Sequence, residues 1–103
     1  MKTVNIIRKK NFYASDIILL KSDANYTHIY FRNGKQMTVA KTLKQMEPKF
    51  TELGFIRTHK SFIVNPSHIL RYYDVESEIH LTKNLTAAVS RRRKDAFEQV
   101  LHG

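Results

Sequence analysis

The chain has 103 residues, no cysteine, and eighteen Lys and Arg against nine Asp and Glu, a formal charge of +9. That length holds one domain with one modest core, and the missing cysteines exclude disulfides, thiolate metal sites and cysteine nucleophiles. No apolar run nears the length of a bilayer span and no signal peptide opens the chain, so a cytoplasmic protein is expected, drawn by its charge to polyanions.

The first candidate strand is weak and covers residues 4–8. Residues 16–21 follow, where Ile17-Ile18-Leu19-Leu20 reads as a buried strand. Residues 26–32 alternate, with Thr27, Ile29 and Phe31 facing one way and Tyr26, His28, Tyr30 and Arg32 the other. Asn33-Gly34 then predicts a two-residue hairpin turn with positive φ at both residues, returning through 36–40. Leu43, Met46, Phe50 and Leu53 recur at helical spacing as a core stripe, interrupted by Pro48 and stopped by Gly54. That pattern is a kinked helix or a helix that restarts at the proline.

Phe55-Ile56 and Ser61-Phe62-Ile63-Val64 read as strands flanking a polar Arg57-Thr58-His59-Lys60 segment, and Asn65-Pro66 ends the run. Residues 68–73 and 78–81 form a strand pair around the acidic turn Asp74-Val75-Glu76-Ser77, and 86–89 is the last strand. Ser90 reads as the N-cap of a closing helix from Arg91 to about Leu101, with Ala96, Phe97, Val100 and Leu101 as its apolar face. The fold class expected is mainly β: small antiparallel sheets with two short helices, one domain over 1–103 with its core at about 16–101.

Three segments carry candidate chemistry. Arg91, Arg92, Arg93 and Lys94 fill the first turn of the expected closing helix, where each cation opposes the helix dipole by about 0.3–1 kcal/mol. Phosphates would neutralise both the side chains and the helix end, which makes the group a candidate polyanion contact. His59-Lys60-Ser61 interrupts an apolar stretch. Lys60 could reach a phosphate or a guanine edge. His59 has two readings, a phosphate donor or a hydrogen-bonding residue that holds the turn. Asp23-Ala24-Asn25-Tyr26 is a polar turn whose Asn25 has the amide geometry for an adenine edge. Spacing alone leaves that asparagine explained by ordinary turn chemistry.

Four segments together resemble the LytTR domain, a DNA-binding output module of bacterial response regulators in two-component systems. They are Asp16-Ile17-Ile18-Leu19-Leu20 with Ala24-Asn25-Tyr26-Thr27, then Thr42-Leu43, then Phe55-Ile56-Arg57-Thr58-His59-Lys60-Ser61-Phe62-Ile63-Val64-Asn65, and Val89-Ser90-Arg91-Arg92. Where the family often has proline before the final Val-Ser-Arg, this chain has Ala88. The resemblance implies a sequence-specific regulator of transcription that reads major grooves through loops. Its implied base contacts are Lys60 and Arg91, with Asn25 or Tyr26 at a third position. His59, Ser90, Arg92, Arg93 and Lys94 are candidates for phosphates. Double-stranded DNA in paired direct repeats, read as a homodimer on DNA, is the implied partner. With no room for a receiver, a standalone regulator or an excised output domain is expected.

The alternative is an RNA-binding or protein-interaction module on the same basic surface. RNA readers stack bases on a sheet face carrying several aromatics, and Tyr26 and Tyr30 could share such a face. An enzyme is not expected. His28, His59, His68, His80 and His102 include no i, i+4 pair, and Asp74, Glu76 and Glu78 read as a solvated turn and edge. No metal and no cofactor are expected.

Overall fold

Ile17, Ile18, Leu19 and Leu20 are all buried, although successive side chains of a strand point to opposite faces. They lie in the central strand of the computed structural model, which describes residues 1–103. A two-stranded ribbon pairs β1 (Thr3–Ile7) with β2 (Lys10–Tyr13). A five-stranded sheet comprises β3 (Ile17–Asp23), β4 (Tyr26–Phe31), β5 (Gln36–Val39), β6 (Ile56–His59) and β7 (Phe62–Val64), in the order β5-β4-β3-β7-β6. A three-stranded sheet comprises β8 (Ile69–Tyr73), β9 (Glu78–Leu81) and β10 (Thr86–Ala88), in the order β10-β9-β8. Every pairing is antiparallel. Two helices, α1 (Leu43–Glu52) and α2 (Lys94–His102), complete the mainly β fold.

A bulge explains the four buried residues. Ile17 pairs with Phe31 and Leu19 with Tyr30, so Ile18 is one residue too many for β4. Ile17 and Leu20 enter one core, with Ile29, Phe31, Ile63 and the α1 residues Leu43, Met46 and Phe50. Ile18 and Leu19 enter a second core, with Val64, Ile79, Leu81, Ala87, Val89 and Phe97. The central sheet is therefore covered on both faces, by α1 and the β1–β2 ribbon on one side and by the three-stranded sheet and α2 on the other.

Local chemistry sets the ends of the elements. Thr42 caps α1: its hydroxyl accepts from the Gln45 N–H, and the Gln45 side chain accepts from the Thr42 N–H at 2.8 Å. Pro48 lies inside the helix, which runs through it without a restart. Gly54 ends it at φ +95°, a left-handed conformation that costs glycine little. Asn65 is buried and fully satisfied, donating to the Ala14 and Ile17 carbonyls and accepting from Ser67.

Several sequence expectations change here. The Asn33-Gly34 turn has only Gly34 at positive φ. The Asn33 side chain accepts from the Lys35 N–H at 2.9 Å and Phe31 pairs with Lys35, so the loop has three residues rather than two. Arg57, Thr58 and His59 belong to β6, not to a loop. The ribbon strand β2 had no apolar alternation to announce it.

The closing helix differs most. Ser90 makes no side-chain cap, Arg91–Arg93 form a separate 3-10 turn, and α2 starts at Lys94 with Asp95 in its first turn. Three of the four cations therefore precede the helix, and an acid sits where the dipole favours one. The helix face is also narrower than expected. Phe97 is buried, whereas Ala96 and Val100 are exposed.

Candidate nucleic-acid interface

The sheet order brings the candidate segments to one end of the molecule. β3 and β7 run antiparallel with Lys21 opposite Phe62, and the Ser22 N–H donates to the Ser61 carbonyl at 2.9 Å. The β3–β4 hairpin tip at Ala24-Asn25 and the β6–β7 tip at Lys60 therefore lie at the same end of the sheet. Two strand spacings separate the tips, roughly 10 Å. Beyond β6 comes the Ser90 junction, whose N–H donates to the Thr58 carbonyl at 2.8 Å. The Thr58 hydroxyl in turn donates to the Ala88 carbonyl at 2.9 Å. Asn25, Lys60 and Ser90-Arg91 thus form one row, tied laterally by backbone bonds.

At the first tip, Asn25 and Tyr26 are exposed. Ala24 holds φ +51° without being glycine, a conformation that costs an L-residue roughly 1–2 kcal/mol. His28 braces the base of this hairpin, with Nε2 2.9 Å from Asp23 and Nδ1 2.7 Å from the Thr38 hydroxyl. Buried Thr27 donates to the Lys41 carbonyl at 2.7 Å, which holds exposed Lys41 beside the same tip.

At the second tip, Lys60 is exposed and His59 half-buried. The Ser61 N–H donates to His59 Nδ1 at 3.0 Å, so that nitrogen carries no proton and Nε2–H remains available as a donor. His59 thus holds the turn and keeps one free donor. The residue that shapes this tip is Arg57. Its guanidinium donates through Nε to the His59 carbonyl at 2.9 Å and through Nη2 to the Lys60 carbonyl at 2.6 Å. Nη1 pairs with Glu47 of α1 at 2.6 Å. One planar fork therefore clamps the Lys60 turn onto the helix, a geometry lysine cannot reproduce.

At the third position, Arg91 and Arg92 are exposed, while Arg93 and Lys94 are partly covered. Residues of a 3-10 turn fan out at three per turn, so these cations do not share one face. Arg93 lines a groove between α1 and α2, and Lys94 donates to the Asp74 carbonyl at 2.6 Å, in the β8–β9 turn. The sequence reading treated the four cations as one group; the fold divides them in two. Behind them, Tyr72 anchors α2, with its hydroxyl on Glu98 at 2.7 Å and its ring edge-on to Phe97. Burial first, then the Glu98 carboxylate, pushes its phenol well above the ordinary range, so it stays a donor.

Arg57, Thr58 and Lys41 were not singled out from the sequence as site residues. Lys41 stands in the stretch from Ala24 to Met46, which holds no acidic residue. Arg57 and Thr58 sit in an alternating strand where their partners are invisible until the fold is known. Thr58→Val keeps the shape and removes the hydroxyl. It should lower unfolding stability by about 1 kcal/mol and reduce DNA affinity through the Ser90 junction. Denaturant midpoint shifts at constant slope check the first effect.

A sequence-family profile for the LytTr DNA-binding domain matches residues 8–102. Among solved structures, the chain is similar to a LytTr DNA-binding domain from Bacillus cereus, described as part of a methyl-accepting/DNA response regulator. The TM-score is 0.77 at 24% identity, covering 99% of this chain and 96% of that one. A search of curated proteins returned no significant match.

Proposed function

Given that the chain belongs to the LytTr DNA-binding domain family, a family of sequence-specific regulators of transcription, we propose that it reads duplex DNA through the row formed by Asn25-Tyr26, Lys60 and Ser90-Arg91. The observation that carries this reading is the lateral tie between the three segments, Ser22 to Ser61 and Ser90 to Thr58. Loops that must meet one DNA face need fixed relative positions. Lys60 and Arg91 take base edges, with Asn25 or Tyr26 at the third position. Arg92, Lys41, Ser90 and the His59 Nε2–H serve phosphates, which set register and orientation. Arg93 and Lys94 have a smaller part, because the surroundings of both lie off the row.

The protein acts in the cytoplasm as the output domain of a response regulator or as a standalone regulator, bound as a pair on direct repeats. No helix is long and apolar enough to cross a membrane. Duplex DNA is favoured over single-stranded RNA because Tyr30 packs against the second core, leaving Tyr26 as the one exposed aromatic at this end of the β4 face. A stacking platform needs several.

The test is a mobility shift on a target obtained by in vitro selection, across a salt series, against scrambled duplex. Specific binding should weaken log-linearly with salt, and Arg92→Ala should reduce the slope by about 0.9, the value of one phosphate. Equal affinity for selected and scrambled duplex would remove the specific-reader assignment.

A further inference from the structure

We propose that the groove between α1 and α2 binds a small amphipathic carboxylate, with its tail on Ile56, Ala96 and Val100 and its head on Arg93. The groove is open to solvent and offers about 520 Å³, room enough for a small molecule. Its apolar lining includes Val100, which is 49% exposed although large and aliphatic, on the helix face that the core leaves uncovered. The charges at its rim point to an anion. Glu47 is the one acid in the lining, and it is already paired with Arg57 at 2.6 Å. Arg93 lines the same groove, and its guanidinium pairs with no carboxylate of the chain. An apolar floor with one unneutralised guanidinium at its edge fits a molecule with an apolar body and one anionic oxygen pair, which a guanidinium receives bidentately. Arg57 borders this groove and holds the Lys60 turn, so the site adjoins the DNA-facing row without being part of it. The proposal stands apart from DNA binding and does not depend on it.

Decanoate, decanol and decyltrimethylammonium titrated separately into the isotopically labelled chain test it by NMR. Decanoate should produce saturable shifts at the Ile56, Ala96 and Val100 methyls and at the Arg93 Nε–H. Decanol, lacking the charge-assisted pair, should bind roughly tenfold more weakly, and the cationic analogue should not saturate. Val100→Asp places a like charge in the groove and should abolish the shifts while leaving DNA affinity unchanged. Ala96→Glu carries the same expectation if that variant folds poorly. The assignment is overturned by an absence of saturable shifts, by equal binding of all three compounds, by shifts centred on exposed Leu70 and Val75 instead, or by a charged variant that binds decanoate as the parent does.

Discussion

Replacing Lys60 and Arg91 together by alanine is expected to cut sharply the preference for a selected DNA target over scrambled duplex while leaving the thermal unfolding curve nearly unchanged. Both residues are exposed and neither side chain makes a hydrogen bond or ion pair within the chain, so their loss costs the fold little; surface changes of this kind stay within about 0.5 kcal/mol. On DNA, each base-edge contact discriminates by about 1–3 kcal/mol, so the pair should remove roughly two to six. At the upper end that equals much of the gap between specific and non-specific binding. Residual binding should remain and keep most of its salt dependence, because Arg92 and Lys41 are untouched. Each single substitution should relax a different position of the target. A double variant that kept the parent's full preference for the target would sink the assignment of both residues.

Arg57→Met should lower stability by about 2 kcal/mol and DNA affinity by at least about tenfold. Breaking a fully buried ion pair costs about 3–5 kcal/mol. Here the side-chain exposures are 13% for Arg57 and 31% for Glu47, and solvent relieves part of that. About 2 kcal/mol corresponds to a fall of roughly 10 °C in melting temperature for a domain of this size. The more telling variant is Arg57→Lys. Lysine can keep the attraction to Glu47, so the melting temperature should recover most of the loss. It cannot supply the fork that binds the His59 and Lys60 carbonyls together, so the DNA deficit should persist. Stability from circular dichroism and affinity at a temperature where every variant is folded separate the two effects. If Arg57→Lys bound target DNA like the parent, Arg57 would be a stability residue with no part in positioning Lys60.

How far the sequence could be read depended on the range of the interactions. Period-two alternation in β4 and period-3.6 spacing in α1 report which face is buried, and both faces agree with the structure. Gly54 was legible because its positive φ is a local demand. Asn33-Gly34 was read one residue too tight, since the dipeptide marks a turn without counting its residues. The Ser90 cap failed for a related reason. A serine before a helical pattern is a local signal, but here the Ser90 N–H is drawn to the Thr58 carbonyl across the fold, and a 3-10 turn intervenes before the helix.

The candidate site divides the same way. Lys60 could be named because a cation at a turn has few partners within the chain and many outside it, whereas Asn25 and a base-edge role for Arg91 followed only from the family resemblance. Arg57 could not, because its meaning lies in Glu47 and in two carbonyls of the neighbouring turn. Nor could the separate surroundings of Arg93 and Lys94, which follow from the three-residue period of one 3-10 turn and the position of Asp74.

By itself, then, the sequence determined the chemistry available: a basic, cysteine-free, mainly β chain with cations and amides at its polar turns. Composition and period are local properties, and a sequence states them directly. Only the tertiary structure decided that one bulge at Ile18 sends a single strand into two cores, that three distant segments become neighbours, and that one arginine holds the central one in place. Those facts depend on pairings between residues far apart in the chain, whose register is set by burial on both faces of the central sheet rather than by any neighbour in sequence.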